Sequence, residues 1–122
     1  MCGLLLSIRL SNDTDNERDS IFDALLTSVT PRGPDSLRIH TSFVTLPTGD
    51  RLQVKLAASV LGLRGERITS QPLDGSRGVL GWNGQVFQGL NVGIGENDTI
   101  KLFEQLEQGE IPSRLLSGIE GP

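Results

Sequence analysis

The chain's single cysteine stands at position 2, directly behind the initiator methionine. If Met1 is trimmed, as is usual before a small side chain, Cys2 carries a free α-amine and a thiol on one residue. The thiolate is the nucleophile, and the amine, with an unperturbed pKa of roughly 7.7–8.0, is close enough to neutrality to act as its base. A nucleophile served by its own N-terminal amine is a known variant of the nucleophile-plus-base pair. The alternative is purely structural, with Cys2 a small buried residue opening an apolar strand, since free cysteines are among the most buried residues. Taken by itself, Cys2 leaves both readings open.

The other chemistry-bearing residue types are sparse. His40 is the only histidine and has no motif around it, so it reads as structural, and no Cys/His spacing suggests a metal site. Gly93 and Gly95 lack the third glycine and the long preceding strand of a phosphate-binding loop. With 122 residues the chain is at most one ordinary domain, spanning 1–122. Fifteen acidic against eleven basic residues give a net charge of -4, with no Lys/Arg cluster, which argues against a nucleic-acid surface. One cysteine allows no internal disulfide and fits a reducing compartment. The run Gly3 to Leu6 is too short for a membrane span and lacks the basic flank of a signal peptide. A cytoplasmic protein is expected, with neither nucleic acid nor membrane as partner.

The elements that must position Cys2 follow from periodicity. Residues 2–10 are mostly apolar and read as a strand buried on both faces. A polar loop over 11–17 precedes a helix capped by Asp19 or Ser20, with Ile21, Phe22, Leu25, Leu26 and Val29 on one face and Pro31 as its stop. Residues 37–46 and 51–61 read as an antiparallel hairpin around Pro47–Asp50. In it Ile39, Thr41, Phe43 and Thr45 share one side, and Leu52, Val54, Leu56, Ala58 and Val60 share another. A loop over 64–76 leads to a short strand over 78–82. Asn83-Gly84 is a two-residue hairpin signal, and Val86-Phe87 is the expected return strand. Asn97 or Asp98 caps a second helix with Ile100, Phe103 and Leu106 on one face, ended by Gly109, and residues 113–116 form one further turn. Strands enclosing helices in this order predict an α+β fold on antiparallel sheets.

Four further stretches stand behind Met1-Cys2-Gly3. They are Arg32-Gly33-Pro34-Asp35-Ser36; Leu61-Gly62-Leu63-Arg64-Gly65 followed by Gln71-Pro72; Trp82-Asn83-Gly84-Gln85-Val86-Phe87; and Glu96-Asn97-Asp98-Thr99. This series resembles the glutaminase domain of class II glutamine amidotransferases. The Arg-Gly-Pro-Asp loop points to the asparagine synthetase branch, and the remaining stretches look most like its asparagine synthetase domain-containing proteins. Singly the motifs are weak. Together, in order and over essentially the whole chain, they are specific.

The resemblance implies an N-terminal nucleophile hydrolase fold, an αββα sandwich of antiparallel sheets, here incomplete at its C-terminal end. It makes Cys2 the nucleophile that attacks the side-chain amide of glutamine and releases ammonia through a thioester. It makes Asn83 and Gly84 the oxyanion hole, Arg64 the grip on the substrate carboxylate, and Asp98 with position 85 the holders of its ammonium. From the residues alone, these are equally an Asn-Gly turn, a solvated loop arginine and a helix cap. Arg32, Gly33, Pro34 and Asp35 are implied as a scaffold loop beside the site.

The family usually carries glutamate where this chain has Gln85, which removes a negative charge from the pocket. Gly65 stands where asparagine synthetases proper have leucine, and the loop from Arg64 to Gln71 is shorter. No cofactor is expected in this segment. ATP and Mg²⁺ belong to a synthetase domain of the same protein, absent from this chain, that would accept the ammonia. Two other readings stand beside a working glutaminase. One is a degenerate, non-catalytic domain for glutamine sensing or protein contacts; the other is a truncated product that does not fold stably.

Overall fold

The structure is a computed structural model. It describes residues 2–11, 16–63 and 65–121, side chains 16–18 excepted. The fold is α+β, and its sheets are antiparallel. The first is built from β1 (Gly3–Leu10), β2 (Ser36–Thr45) and β3 (Arg51–Val60) in the order β1-β3-β2. The hairpin of β2 and β3 turns through Pro47–Asp50, where Gly49 takes a φ of 90° and its N–H donates to Leu46 O at 2.9 Å. Arg51 lies over the Phe43 ring at 4.1 Å on the same face. β1 adds to the far side of β3, with Gly3 opposite Ser59 and Leu10 opposite Leu52.

The two faces of this sheet differ in chemistry. Helix α1 (Asn16–Val29) lies on the face bearing Ser7, Arg9, Lys55, Ala57 and Ser59. Pro31 ends it as expected, in a short 3₁₀ turn over Thr30–Arg32. Ser59 Oγ donates to Val29 O at 2.7 Å, and a Cβ on Gly3 would lie 2.6 Å from that same oxygen, so glycine sets how closely the helix end approaches β1. Phe22 is buried against the sheet, with the Lys55 ammonium 5.3 Å from its ring centre. Asp19 does not cap the helix. It lies inside α1, where its carboxylate accepts from Lys55 at 2.8 Å and Arg9 at 3.2 Å, contacts that hold it below its ordinary 3.8. Ile21 and Leu25, expected on the inner face, are exposed.

The opposite face carries Leu4, Leu6, Ile8 and Leu10 beside Leu52, Val54, Leu56 and Ala58. Only one end of it is covered. There a two-stranded ladder, β4 (Leu73–Asp74) and β5 (Val79–Leu80), crosses the sheet, and a Cβ on Gly81 would lie 3.1 Å from Leu4 Cδ2. Asp74 reaches back to His40 Nδ1 at 3.5 Å. Farther along, Leu6 and Ile8 are each 58% exposed, so β1 is not buried on both faces as its apolar run suggests. Its inner side chains alternate with outer ones, and Leu10 at its end is 44% exposed.

The second expected hairpin also moves. Its turn is Gly75–Arg77, with Gly75 N–H donating to Gly78 O, so β4 falls within the stretch expected to be loop. Asn83 and Gly84 form no hairpin turn, and neither has a positive φ. Phe87 N–H donates instead to Glu120 O at 2.7 Å, beside a bridge between Gln88 and Glu120. Helix α2 (Asp98–Glu107) buries Thr99 and Leu102 rather than Ile100, and α3 (Pro112–Ser117) supplies the short final turn. No helix among the described residues is long and apolar enough to cross a membrane.

Glu107 near the end of α2 fastens the β4–β5 turn, accepting from Ser76 Oγ at 2.7 Å, Ser76 N at 2.8 Å and Arg77 N at 2.9 Å. The hydrogen bonds from Ser76 and Arg77 hold its carboxyl below the ordinary 4.5. A depressed native pKa contributes stability above the unfolded value and loses it as pH falls through the native one. Glu107→Gln should therefore lower the melting temperature near neutrality and narrow the difference from acid conditions. A thermal-melt series from about pH 7 to pH 3 reads both effects.

Candidate functional site

A cleft of about 290 Å³ opens where the start of β1, the end of β3, the 82–85 segment and the first turn of α2 meet. Cys2, Asn83, Gly84, Gln85 and Asp98 all line it, although the chain spreads them over nearly a hundred positions. Arg64 lies outside the described residues, but its neighbours Gly62 and Leu63 form part of the rim. The volume is near the lower end of roughly 300–1,000 Å³ for small-molecule pockets. A larger cleft of about 420 Å³ lies between β5 and the end of α2, and none of the motif residues reaches it.

Cys2 is held from two sides. Its half-buried Sγ lies 4.0 Å from Leu61 O, at the end of β3. Its own carbonyl accepts from Arg32 Nε at 3.4 Å. The Arg32–Asp35 loop does not line the cleft; it locks the strand ends that do. Asp35 N–H donates to Val60 O at 3.0 Å, and Asp35 Oδ2 accepts from Gly62 N at 2.8 Å. Pro34 pairs with Val60 in a parallel bridge. Gly33 lies so close to β3 that a Cβ there would overlap the backbone of Ser59 and Val60. Glycine is required here by contact rather than by φ.

The 82–85 segment is tied at both ends by side chains. Trp82 N–H donates to Gln71 Oε1 at 2.7 Å, and Val86 N–H donates to Asp98 Oδ2 at 2.9 Å. The Gln71 bond takes the Trp82 amide, which a hairpin through Asn83-Gly84 would have paired with Gln85 O. Gly84 rests on the Trp82 indole, where a Cβ would sit 3.1 Å from Cζ2. The indole Nε1 is buried without a hydrogen-bond partner among the described residues.

Asp98 is 3% exposed and is not the cap of α2. Asn97 is, its side chain accepting from Thr99 N at 3.0 Å and Ile100 N at 3.4 Å. Asp98 is the first helical residue, and its Oδ1 also accepts from Thr99 N, at 2.9 Å. The positive end of the helix favours a carboxylate at this position. Trp82 and Gln71 belong to the site as well, yet sequence reasoning assigns them no role. Their only signal is membership of the motif stretches.

Because Asp98 joins α2 to the cleft loop, Asp98→Ala should destabilise the fold by about 2–3 kcal/mol, the cost of taking an acceptor from a buried N–H. Asp98→Asn, which keeps one oxygen, should cost less. Urea unfolding of both variants checks the order.

Over the whole chain, asparagine synthetase domain-containing protein 1 of Homo sapiens is 35% identical across 126 aligned residues. The proteins of the same name from Mus musculus and Gallus gallus are 32% and 34% identical, again over the full chain. The chain spans only about 18–19% of the length of these relatives. No family model matches, and no solved structure is detectably similar. Along its whole length the chain is similar to asparagine synthetase domain-containing proteins, and it corresponds to about 18% of the human one.

Proposed function

We propose that the chain is the glutaminase domain of an asparagine synthetase-like protein, hydrolysing glutamine to glutamate and ammonia. The observation that carries this reading is the convergence of Cys2, Asn83, Gly84 and Asp98 on one cleft of small-molecule size. Once Met1 is removed, the Cys2 amine takes the thiol proton. The thiolate attacks the amide carbon, and charge gathers on the amide oxygen. The Asn83 side-chain amide and the Gly84 N–H are the donors for that oxygen, and fixed donors of this kind are commonly the largest contribution to catalysis. Collapse breaks the C–N bond, the amine returns its proton to the leaving nitrogen, and ammonia departs. Water then cleaves the Cys2 thioester and yields glutamate.

Asp98 takes the substrate ammonium and Arg64 its carboxylate, the latter with the two parallel hydrogen bonds that a guanidinium can offer. Asp98 Oδ2 accepts from Val86 N and Oδ1 from Thr99 N, which fixes the carboxylate at the cleft. The ammonia acceptor is an ATP-dependent synthetase in the rest of such a protein, making asparagine. A cytoplasmic setting fits the free thiol.

Gln85 favours a second reading, a degenerate domain that binds glutamine or another protein without turnover. It lines the cleft where the relatives' acid is expected, leaving one negative charge fewer to meet an ammonium.

The mature protein should lose Met1, and a glutamine-like diazoketone should label Cys2 alone; Cys2→Ala should abolish labelling and ammonia release while the circular dichroism stays unchanged. Intact mass reads trimming and labelling together. An active preparation that retains Met1 would overturn the amine as base.

Gln85→Glu separates the two readings. In a working glutaminase KM should fall by up to about tenfold, equivalent to roughly 1.4 kcal/mol, with kcat little changed because the contact is made equally in ground and transition states. Ammonia release at background in both proteins decides for the degenerate domain.

A further inference from the structure

We propose that Gln71 is a positioning residue that holds the Asn83–Gly84 donor pair in register with Cys2. The proposal rests on the glutaminase reading above for its kinetic consequence, though not for its geometry. Gln71 is 3% exposed, lines the same cleft as Cys2, and follows Ser70, whose hydroxyl is 2.7 Å from that of Ser36 at the start of β2. The sheet thus anchors the loop from which Gln71 projects. Its Oε1 accepts Trp82 N–H at 2.7 Å, the bond nearest in sequence to Asn83.

The acceptor cannot be supplied by a neighbouring strand, because the β4–β5 ladder ends at Leu80. With Val86 tied to Asp98, Gln71 is the other of two side-chain ties that bracket Asn83, Gly84 and Gln85. Loss of the Gln71 tie releases the start of the segment, and Gly84, packed on the Trp82 indole, moves with it. Oxyanion donors act chiefly in the transition state, so their displacement lowers kcat and leaves substrate binding nearly intact.

Trp82 is the only tryptophan, so the protein's emission reports on this segment whether or not glutamine is turned over. The test compares Gln71→Leu, which removes the acceptor, with Gln71→Glu, which keeps an oxygen on the same stem. In Gln71→Leu the emission should shift to longer wavelength with greater quenching by acrylamide. Its kcat for glutamine should drop about 100-fold, the scale of a misplacement near 1 Å, with KM within about threefold. Gln71→Glu should return wild-type emission and most of the kcat. Wild-type emission and kcat in Gln71→Leu would overturn the proposal, as would a kcat loss shared equally by both variants with emission unchanged. If the wild type shows no turnover, the glutaminase reading fails on that result alone. The emission comparison then decides for or against Gln71 without it.

Discussion

There is no room for a side chain between residue 33 and the last two residues of β3. That single close approach lets the Arg32–Asp35 loop lie flat across the strand end, and the rest of the site is built on it. From there Arg32 reaches the Cys2 carbonyl and Asp35 the Gly62 amide, so the start of β1 and the end of β3 are fixed by one loop. A second contact of this type, Gly3 against Val29 O, brings α1 down onto the same corner. A residue ahead of the first strand would otherwise fray. Here Cys2 is held by Arg32 Nε at its carbonyl and by Leu61 O beside its Sγ, and it lines the cleft.

Polar side chains, more than strands, shape the far wall. Gln71 and Asp98 each capture a backbone N–H and so hold the 82–86 segment open in an irregular path. A regular hairpin there would have paired the Trp82 amide with Gln85 O instead. An Asp98 side chain placed at a helix start and nearly excluded from water binds the loop firmly, because a buried amide left without an acceptor costs about 1–3 kcal/mol.

Outside the cleft, three carboxylates join elements that share little apolar surface. Asp19 ties α1 to β1 and β3, Glu107 ties α2 to the β4–β5 turn, and Glu96 pairs with Lys101 at 3.1 Å beside the first turn of α2. All three are held below their ordinary pKa values by hydrogen bonds. The apolar sheet face remains largely open around Leu6 and Ile8.

What the sequence determined by itself was local and periodic: the hairpin of β2 and β3, the stop of α1 at Pro31, the start of α2 near Asn97, and the candidacy of Cys2 with its motif partners. Each depends on neighbours within a few residues, or on motif order along the chain. Tertiary structure decided the rest. Leu6 and Ile8 have the composition of buried residues, and only the reach of the β4–β5 ladder leaves them exposed. Asn83-Gly84 has the composition of a turn, and Gly75–Arg77 forms the turn instead. Trp82 N–H, which a hairpin through Asn83-Gly84 would pair with Gln85 O, has its acceptor 11 residues away in Gln71. Asp98 reads equally well as a cap or a substrate ligand in one dimension. Its burial and its bond to Val86 depend on where α2 docks, which no pattern within the helix records.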